Sequence, residues 1–191
     1  MFQLDWKKIQ LPATTAGAFS YIANGGKARS RGASMETRLQ ATEHLVVRGN
    51  ATYTDAKLTS DATSLGGANG DALPFVPKWA GSLGLSYQQH AFADWSFDGG
   101  ASVRATSERR GAGPIFIFTD QMPLDSYSAV DMNAALSNER YTVRLYGRNV
   151  FDKRAYLSSL AIPNGEGTGP VQYEGILITP RTIGLSFDAK F

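Results

Sequence analysis

Cysteine is absent from the 191 residues, which excludes a disulfide framework and thiolate metal sites. No stretch approaches the roughly 18–20 continuous apolar residues of a membrane helix. A net charge of only +2 gives no drive toward nucleic acid or a strongly acidic partner. The first residues do not read as a secretory leader. Met1 is followed at once by Asp5, Lys7 and Lys8 with no apolar segment, so an exported protein with this sequence is expected to be a fragment or to lack its start. Catalytic patterns are equally scarce. There is no G-x-S-x-G, and Gly165-Glu-Gly-Thr-Gly169 follows no strand-to-helix pattern, so it reads as a loop rather than a phosphate cradle. His44 and His90 fall at predicted short turns without ligand spacing and read as solvated. The expectation is a protein that is not an enzyme and carries no cofactor.

What is present is alternation. Ile183, Leu185, Phe187, Ala189 and Phe191 are apolar, and Thr182, Gly184, Ser186, Asp188 and Lys190 are small, polar or charged. Side chains alternate faces along a strand, so one face is apolar and the other polar. A soluble sheet places such an apolar face in a core, whereas a membrane barrel turns it to lipid. The same pattern recurs upstream. Strands are predicted near 1–11, 18–41, 44–56, 76–88, 94–107, 125–137, 141–158 and 175–191, about eight in all, with Pro12–Gly17 as a turn and a bulge or bend at Gly25-Gly26. With 20 Gly, 10 Phe, 8 Tyr and 3 Trp, the chain has an all-β composition.

The connections alternate too. Those near 41–43, 89–93 and 137–140 are short, and 57–75, 108–124 and 159–174 are long and rich in Gly, Ser and Asp. Long loops at one end and tight turns at the other are the outer-membrane pattern. Several strands reach the ~9–11 residues needed to cross a bilayer at a tilt. The polar face carries Glu36, Arg38, Arg48, Asp98, Arg104, Asp131, Arg144, Arg148, Asp188 and Lys190, more charge than a small closed core desolvates cheaply. Aromatic residues cluster at strand ends, with Tyr87, Trp95, Phe97, Tyr141, Phe187 and Phe191 near the short turns and Tyr53, Trp79 and Phe151 near the long loops. Two such girdles are what bilayer interfaces select.

Asn149-Val-Phe-Asp-Lys-Arg-Ala-Tyr156 resembles the N-[LV]-F-D-K-x-Y signature on the penultimate strand of TonB-dependent outer-membrane receptors. Pro180-Arg-Thr-Ile-Gly-Leu-Ser-Phe187, closed by Phe191, resembles their final strand. Asp125–Met132, Val76-Pro77-Lys78, Gly26–Gly32 and Phe2–Gln10 resemble further family segments in the same order. One position departs from the family: of the two acidic residues that often follow the glycine at position 32, only Glu36 is present, the other being Ser34. The resemblance implies an antiparallel transmembrane β-barrel segment with meander topology, an incomplete barrel. Residues 1–191 would form the C-terminal part of a bacterial outer-membrane receptor whose plug domain is absent. It further implies an active transporter for a scarce ligand such as a ferric siderophore. The partners would be outer-membrane lipid, the remaining strands and plug of the parent, TonB through the absent part, and the barrel-assembly machinery.

Two groups of site residues follow. Gly184, Phe187 and Phe191 resemble the assembly signal of such barrels. Phe75, Phe116, Phe118 and Tyr173 sit on the long loops, where ligand contacts concentrate. Two alternatives stay open at this stage: an autonomous eight-stranded barrel acting as an adhesin or small porin, and a soluble β-sandwich binding module.

Overall fold

The computed structural model describes residues 1–14, 20–113, 117–162 and 172–190. In chain order the strands are β1 (Phe2–Lys7), β2 (Gln10–Thr14), β3 (Ser20–Asn24), β4 (Lys27–Gln40), β5 (Leu45–Leu58), β6 (Trp79–Phe92) and β7 (Trp95–Thr106), followed by β8 (Arg109–Arg110), β9 (Pro123–Leu124), β10 (Tyr127–Ser137), β11 (Tyr141–Arg148), β12 (Tyr156–Ile162), β13 (Gln172–Leu177) and β14 (Thr182–Ala189). One sheet of eight strands runs β1-β4-β5-β6-β7-β10-β11-β14, and β2-β3, β8-β9 and β12-β13 form small two-stranded sheets. Every pairing in the large sheet is antiparallel.

Cross-strand partners share a face, so the register sorts the residues. Leu39, Val47, Leu85, Ala101, Met132, Gly147 and Ile183 form one continuous row. The row starts one residue from the short-turn end of β4 and arrives at the second residue of β14, at its long-loop end. That stagger is the tilt a sheet needs to curve into a barrel. The face carrying this row is apolar and unpacked, and Leu185, Phe187 and Met35 are each about two-thirds exposed. A sandwich buries such a face against a second large sheet, and among the described residues only two-stranded sheets accompany this one. A closed eight-stranded barrel requires β1 to pair with β14. Those two strands instead end the sheet, so the sheet is open.

Several predicted boundaries change. The first segment breaks at Lys8, whose φ is 59°, and resumes as β2, so Pro12 lies in a strand rather than a turn. The long second segment is two strands, because the pairing breaks at Gly25-Gly26, where Gly26 takes φ 73°, while β3 meets β2 in the register in which β4 meets β1, Gln10 facing Asn24 and Lys7 facing Lys27. Residues 89–92 extend β6 instead of turning. The predicted strand 141–158 stops at Arg148, and Tyr156 onward forms the β12-β13 hairpin, which removes 175–177 from the final strand. At Lys8, Gly26 and Asn149 residues with positive φ interrupt strands whose propensity continues, whereas at Pro12 and 89–92 a strand runs where a turn is expected.

The buried core lies at the long-loop end, not under the sheet. Ala28, Ala56, Leu58, Ala62, Leu65, Leu73 and Ile117 form it, with Ile9, Leu11, Ala23, Val76 and Phe118 against it. Leu65 is fully buried at the end of a 3-10 turn, Thr63–Leu65, in the first long loop.

Candidate functional site

The inner face of the sheet carries charge over a floor of small residues. Gly84, Ser86, Gly100, Ser102 and Ser186 line an open hollow of about 650 Å³, rimmed by Arg48, Arg144, Arg148 and Asp131. Arg104 Nη1 donates to Asp131 Oδ2 at 2.5 Å, and Gln88 donates to Asp98 at 2.5 Å. Arg38 faces Arg48 directly across β4 and β5, a like-charge pairing that costs stability unless water or an opposite charge screens it. Arg148 lies 5.9 Å from the Tyr146 ring centroid. That ring covers Gly184 on the neighbouring strand, where any side chain would overlap it. Gly184 therefore seats an inward-facing tyrosine. Phe187 points outward and stacks on Tyr141 with centroids 5.9 Å apart. Phe191 lies outside the described residues.

Asp131 also holds the segment after β11. Its Oδ1 accepts from the Asn149 N–H at 2.7 Å. Asn149 is completely buried and adopts φ 47°, a left-handed conformation that Asn tolerates better than most residues. Its Nδ2 donates to the Lys153 and Thr179 carbonyls, both at 2.9 Å, and its Oδ1 accepts from the Lys153 N–H at 2.9 Å. Asp152 Oδ1 accepts from the Arg181 N–H at 3.1 Å. The Asn149–Lys153 turn thus pins both ends of the third long loop to β10. The sequence signal was visible, but its structural task was not.

The long loops are one joined cap. The Phe75 N–H donates to the Arg110 carbonyl at 2.7 Å, and the Phe118 N–H donates to the Leu65 carbonyl at 3.3 Å. Arg109 Nη2 donates to the carbonyls of Tyr156 and Leu157. Tyr173 Oη donates to the Asp120 carbonyl at 2.8 Å. Of the loop aromatics singled out from the sequence, Phe118 is packed on the core around Leu65 and Tyr173 ties two loops together while remaining partly exposed. Phe75 is exposed and holds φ 64°, a strained conformation for a bulky residue. Phe116 lies outside the described residues. Tyr173→Phe is expected to weaken the tie between the second and third loops by about 1 kcal/mol. Hydrogen exchange should read this as faster exchange around 117–122, with the sheet unchanged.

On β4 and β5 the two faces exchange character near the loops. Below Gly32 the outward residues are Ala33, Met35, Thr37 and Leu39, facing Tyr53, Ala51, Gly49 and Val47. Above it they are Arg31 and Arg29, facing Asp55 and Lys57, while Ser30, Ala28, Ala56 and Leu58 turn inward and are buried. β1 continues the upper pattern, with Gln3, Asp5 and Lys7 outward and Phe2, Leu4 and Trp6 inward. Asp5 accepts from Arg29 at 2.6 Å and from Gln3 at 2.8 Å. The Arg29 bond, then the Gln3 bond, hold its carboxyl below the usual carboxylate range. Burial pushes the Asp55 carboxyl up, but Lys57 and Arg31, at 3.1 and 3.3 Å, outweigh it and hold it low as well.

Residues 1–150 match the family described as "TonB dependent receptor-like, beta-barrel". The chain is 34% identical over 139 residues to the metal-pseudopaline receptor CntO of Pseudomonas aeruginosa, covering 71% of this chain and 18% of that one. It is 30% identical over 161 residues to the ferrichrome outer membrane transporter/phage receptor of Escherichia coli K12, covering 80% of this chain and 20% of that one. Among solved structures, the ferric yersiniabactin uptake receptor FyuA from Yersinia pestis superposes with a TM-score of 0.77 at 16% identity, over 99% of this chain and 26% of that one. The chain therefore spans about a fifth of the length of the curated relatives it matches.

Proposed function

This chain belongs to the TonB-dependent receptor family, a family of transporters rather than enzymes, and on that premise we propose that residues 1–191 are the C-terminal part of the barrel of an outer-membrane active transporter. The cargo is a scarce ligand of the ferric siderophore class, and uptake is energised through TonB. The observation that carries this reading is the open antiparallel sheet, apolar outward and charged inward, with an edge strand free on each side. An unpaired edge is costly in lipid and adhesive in water, so it calls for further strands on both sides. The charged inner face with its arginine-rimmed hollow calls for contents, which a plug domain supplies. The ferrichrome and metal-pseudopaline relatives support the ligand class.

The reading is tested by deleting the gene that encodes this chain and measuring cellular uptake of radiolabelled iron from a panel of ferric siderophores and related metal chelates. Loss of uptake of one member, restored by the intact gene and abolished again without TonB, is expected. Unchanged uptake across the panel sinks the proposal. A second expectation concerns the isolated segment. Residues 1–191 alone in detergent should form mixed oligomers through β1 and β14, and a sharp monomer with gel mobility sensitive to heating would contradict the need for further strands.

A further inference from the structure

The outward charges on β1, β4 and β5 are a site in their own right. Three successive rows lie on the same face as the lipid-facing residues: Lys7 with Lys27, then Asp5, Arg29 and Lys57, then Gln3, Arg31 and Asp55. Five cations face two carboxylates. Those carboxylates are already engaged, Asp5 by Arg29 and Asp55 by Arg31 and Lys57, so the surplus is positive. Neither Lys7 nor Lys27 has an ion-pair partner among the described residues. All five basic side chains are exposed. Three strands and three rows make a patch roughly 10 Å wide and 14 Å tall.

Its height is fixed by its neighbours. The next row toward the short turns is Ala33, Tyr53 and Trp79, where the Tyr53 and Trp79 rings meet with centroids 4.9 Å apart and the indole is more than half exposed. Aromatic side chains of this kind sit at the boundary between hydrocarbon and headgroups. One row below the charges the surface is apolar, and on the charged rows of β4 and β5 the inward residues Ala28, Ser30, Ala56 and Leu58 are buried, while Leu4 and Trp6 of the edge strand β1 turn inward but stay exposed. Cations outward of the barrel wall and immediately above an aromatic girdle lie at the depth of lipid phosphates, not inside the lumen where cargo passes.

We propose that Lys7, Lys27, Arg29, Arg31 and Lys57 form a binding site for the phosphate groups of an anionic outer-leaflet lipid whose acyl chains lie along the apolar wall below Tyr53 and Trp79. Asp5 and Asp55 fix the direction of the guanidinium groups rather than cancelling the patch, since each arginine keeps further N–H donors free. Arginine forks and lysine ammonium groups together suit a headgroup with more than one phosphate.

This inference rests on the barrel reading, and its test separates the two. The intact receptor containing this segment, purified in detergent, is incubated with a bisphosphorylated lipid and with the same lipid dephosphorylated, and bound lipid is counted by native mass spectrometry. Selective retention of the phosphorylated lipid is expected, weakened about a hundredfold by combining Arg29→Gln, Arg31→Gln and Lys57→Gln. The inward triple Arg48→Gln, Arg144→Gln and Arg148→Gln should leave it unchanged. Where the outer triple fails to assemble, Arg31→Gln and Lys57→Gln singly should each weaken retention roughly fivefold. Equal retention of both lipids, or full retention by these variants, overturns the site. Displacement of the lipid by millimolar inorganic phosphate alone overturns the lipid assignment in favour of a free anion. A chain that never fractionates with the outer membrane overturns the barrel reading, and this inference with it.

Discussion

Leu185→Arg is expected to destabilise the folded receptor by about 3 kcal/mol, and Ser186→Arg, one residue further on, by less than about 1 kcal/mol. The two residues lie on opposite faces of β14. Leu185 stands across from Leu145 in an apolar row, and Ser186 stands across from Arg144 in a polar one. An arginine at Leu185 has only lipid to point into, so it must drag water or headgroups toward the bilayer centre. An arginine at Ser186 meets the wet inner face and at worst repels Arg144, which costs a few tenths of a kcal/mol across a strand pair. Urea midpoints of the receptor folded in bilayers measure both. Equal effects would mean that the exposed apolar face does not face lipid. A larger effect at Ser186 would mean that this face is packed against protein and that the inner and outer assignments are reversed.

Asn149→Ala is expected to cost about 4 kcal/mol and to release the third long loop. The substitution removes three hydrogen bonds made by one fully buried side chain. It leaves the Lys153 and Thr179 carbonyls and the Lys153 N–H without partners in a site closed to water, each at roughly 1–3 kcal/mol before relaxation. Alanine is also strained at φ 47°. Asn149→Gly separates the contributions, because it restores conformational freedom but not the hydrogen bonds, and so should recover no more than about 1 kcal/mol. Asn149→Asp keeps the acceptor for Lys153 N–H but sets a carboxylate against two carbonyls and beside Asp131, so it should be at least as damaging as alanine. Protease cleavage within 156–178 at native conditions, together with the urea midpoint, reads the two components. A variant as stable and as resistant as the parent would show that Asn149 does not hold the loop.

The sheet was legible because its code is local. Period-two alternation on β5, β6, β7, β10 and β14 names both faces without knowledge of any partner, and the contrast between Ser137–Arg140 and the long loops names the two ends. Three things were not legible. The breaks at Lys8 and Gly26 interrupt strands whose propensity continues through them, so 1–11 and 18–41 read as single elements. The cap around Leu65 is assembled from residues far apart in the chain, and a loop sequence such as 57–75 has no period to announce a core. The side taken by β1 was also hidden, because Phe2, Leu4 and Trp6 alternate as cleanly as Leu83, Leu85 and Tyr87. Only the register with Gly32, Ser30 and Ala28 shows that they turn inward. For the loop residues the sequence supplied positions but no roles: Phe118 packs and Tyr173 ties, which aromatic content alone does not distinguish.

The change of face at Gly32 means that immersion depth is encoded as a phase, not as a length. On β4 the apolar residues occupy even positions up to Gly32 and odd positions from Ala33, and on β5 the same shift occurs across Thr54-Asp55, beside Gly32 in the register. Deleting Gly32 alone would merge the two phases into a single alternation and carry Ala28 and Ser30 onto the lipid side. It would also swing Arg29 and Arg31 into the channel and break step with β5, which keeps its own shift. A compensating deletion at Thr54 or Asp55 would restore the pairing but leave a taller apolar wall, seated differently in the bilayer. Length variation among barrels of this kind should therefore be accepted in steps of two on one strand, or of one on two neighbouring strands together, and be rare otherwise.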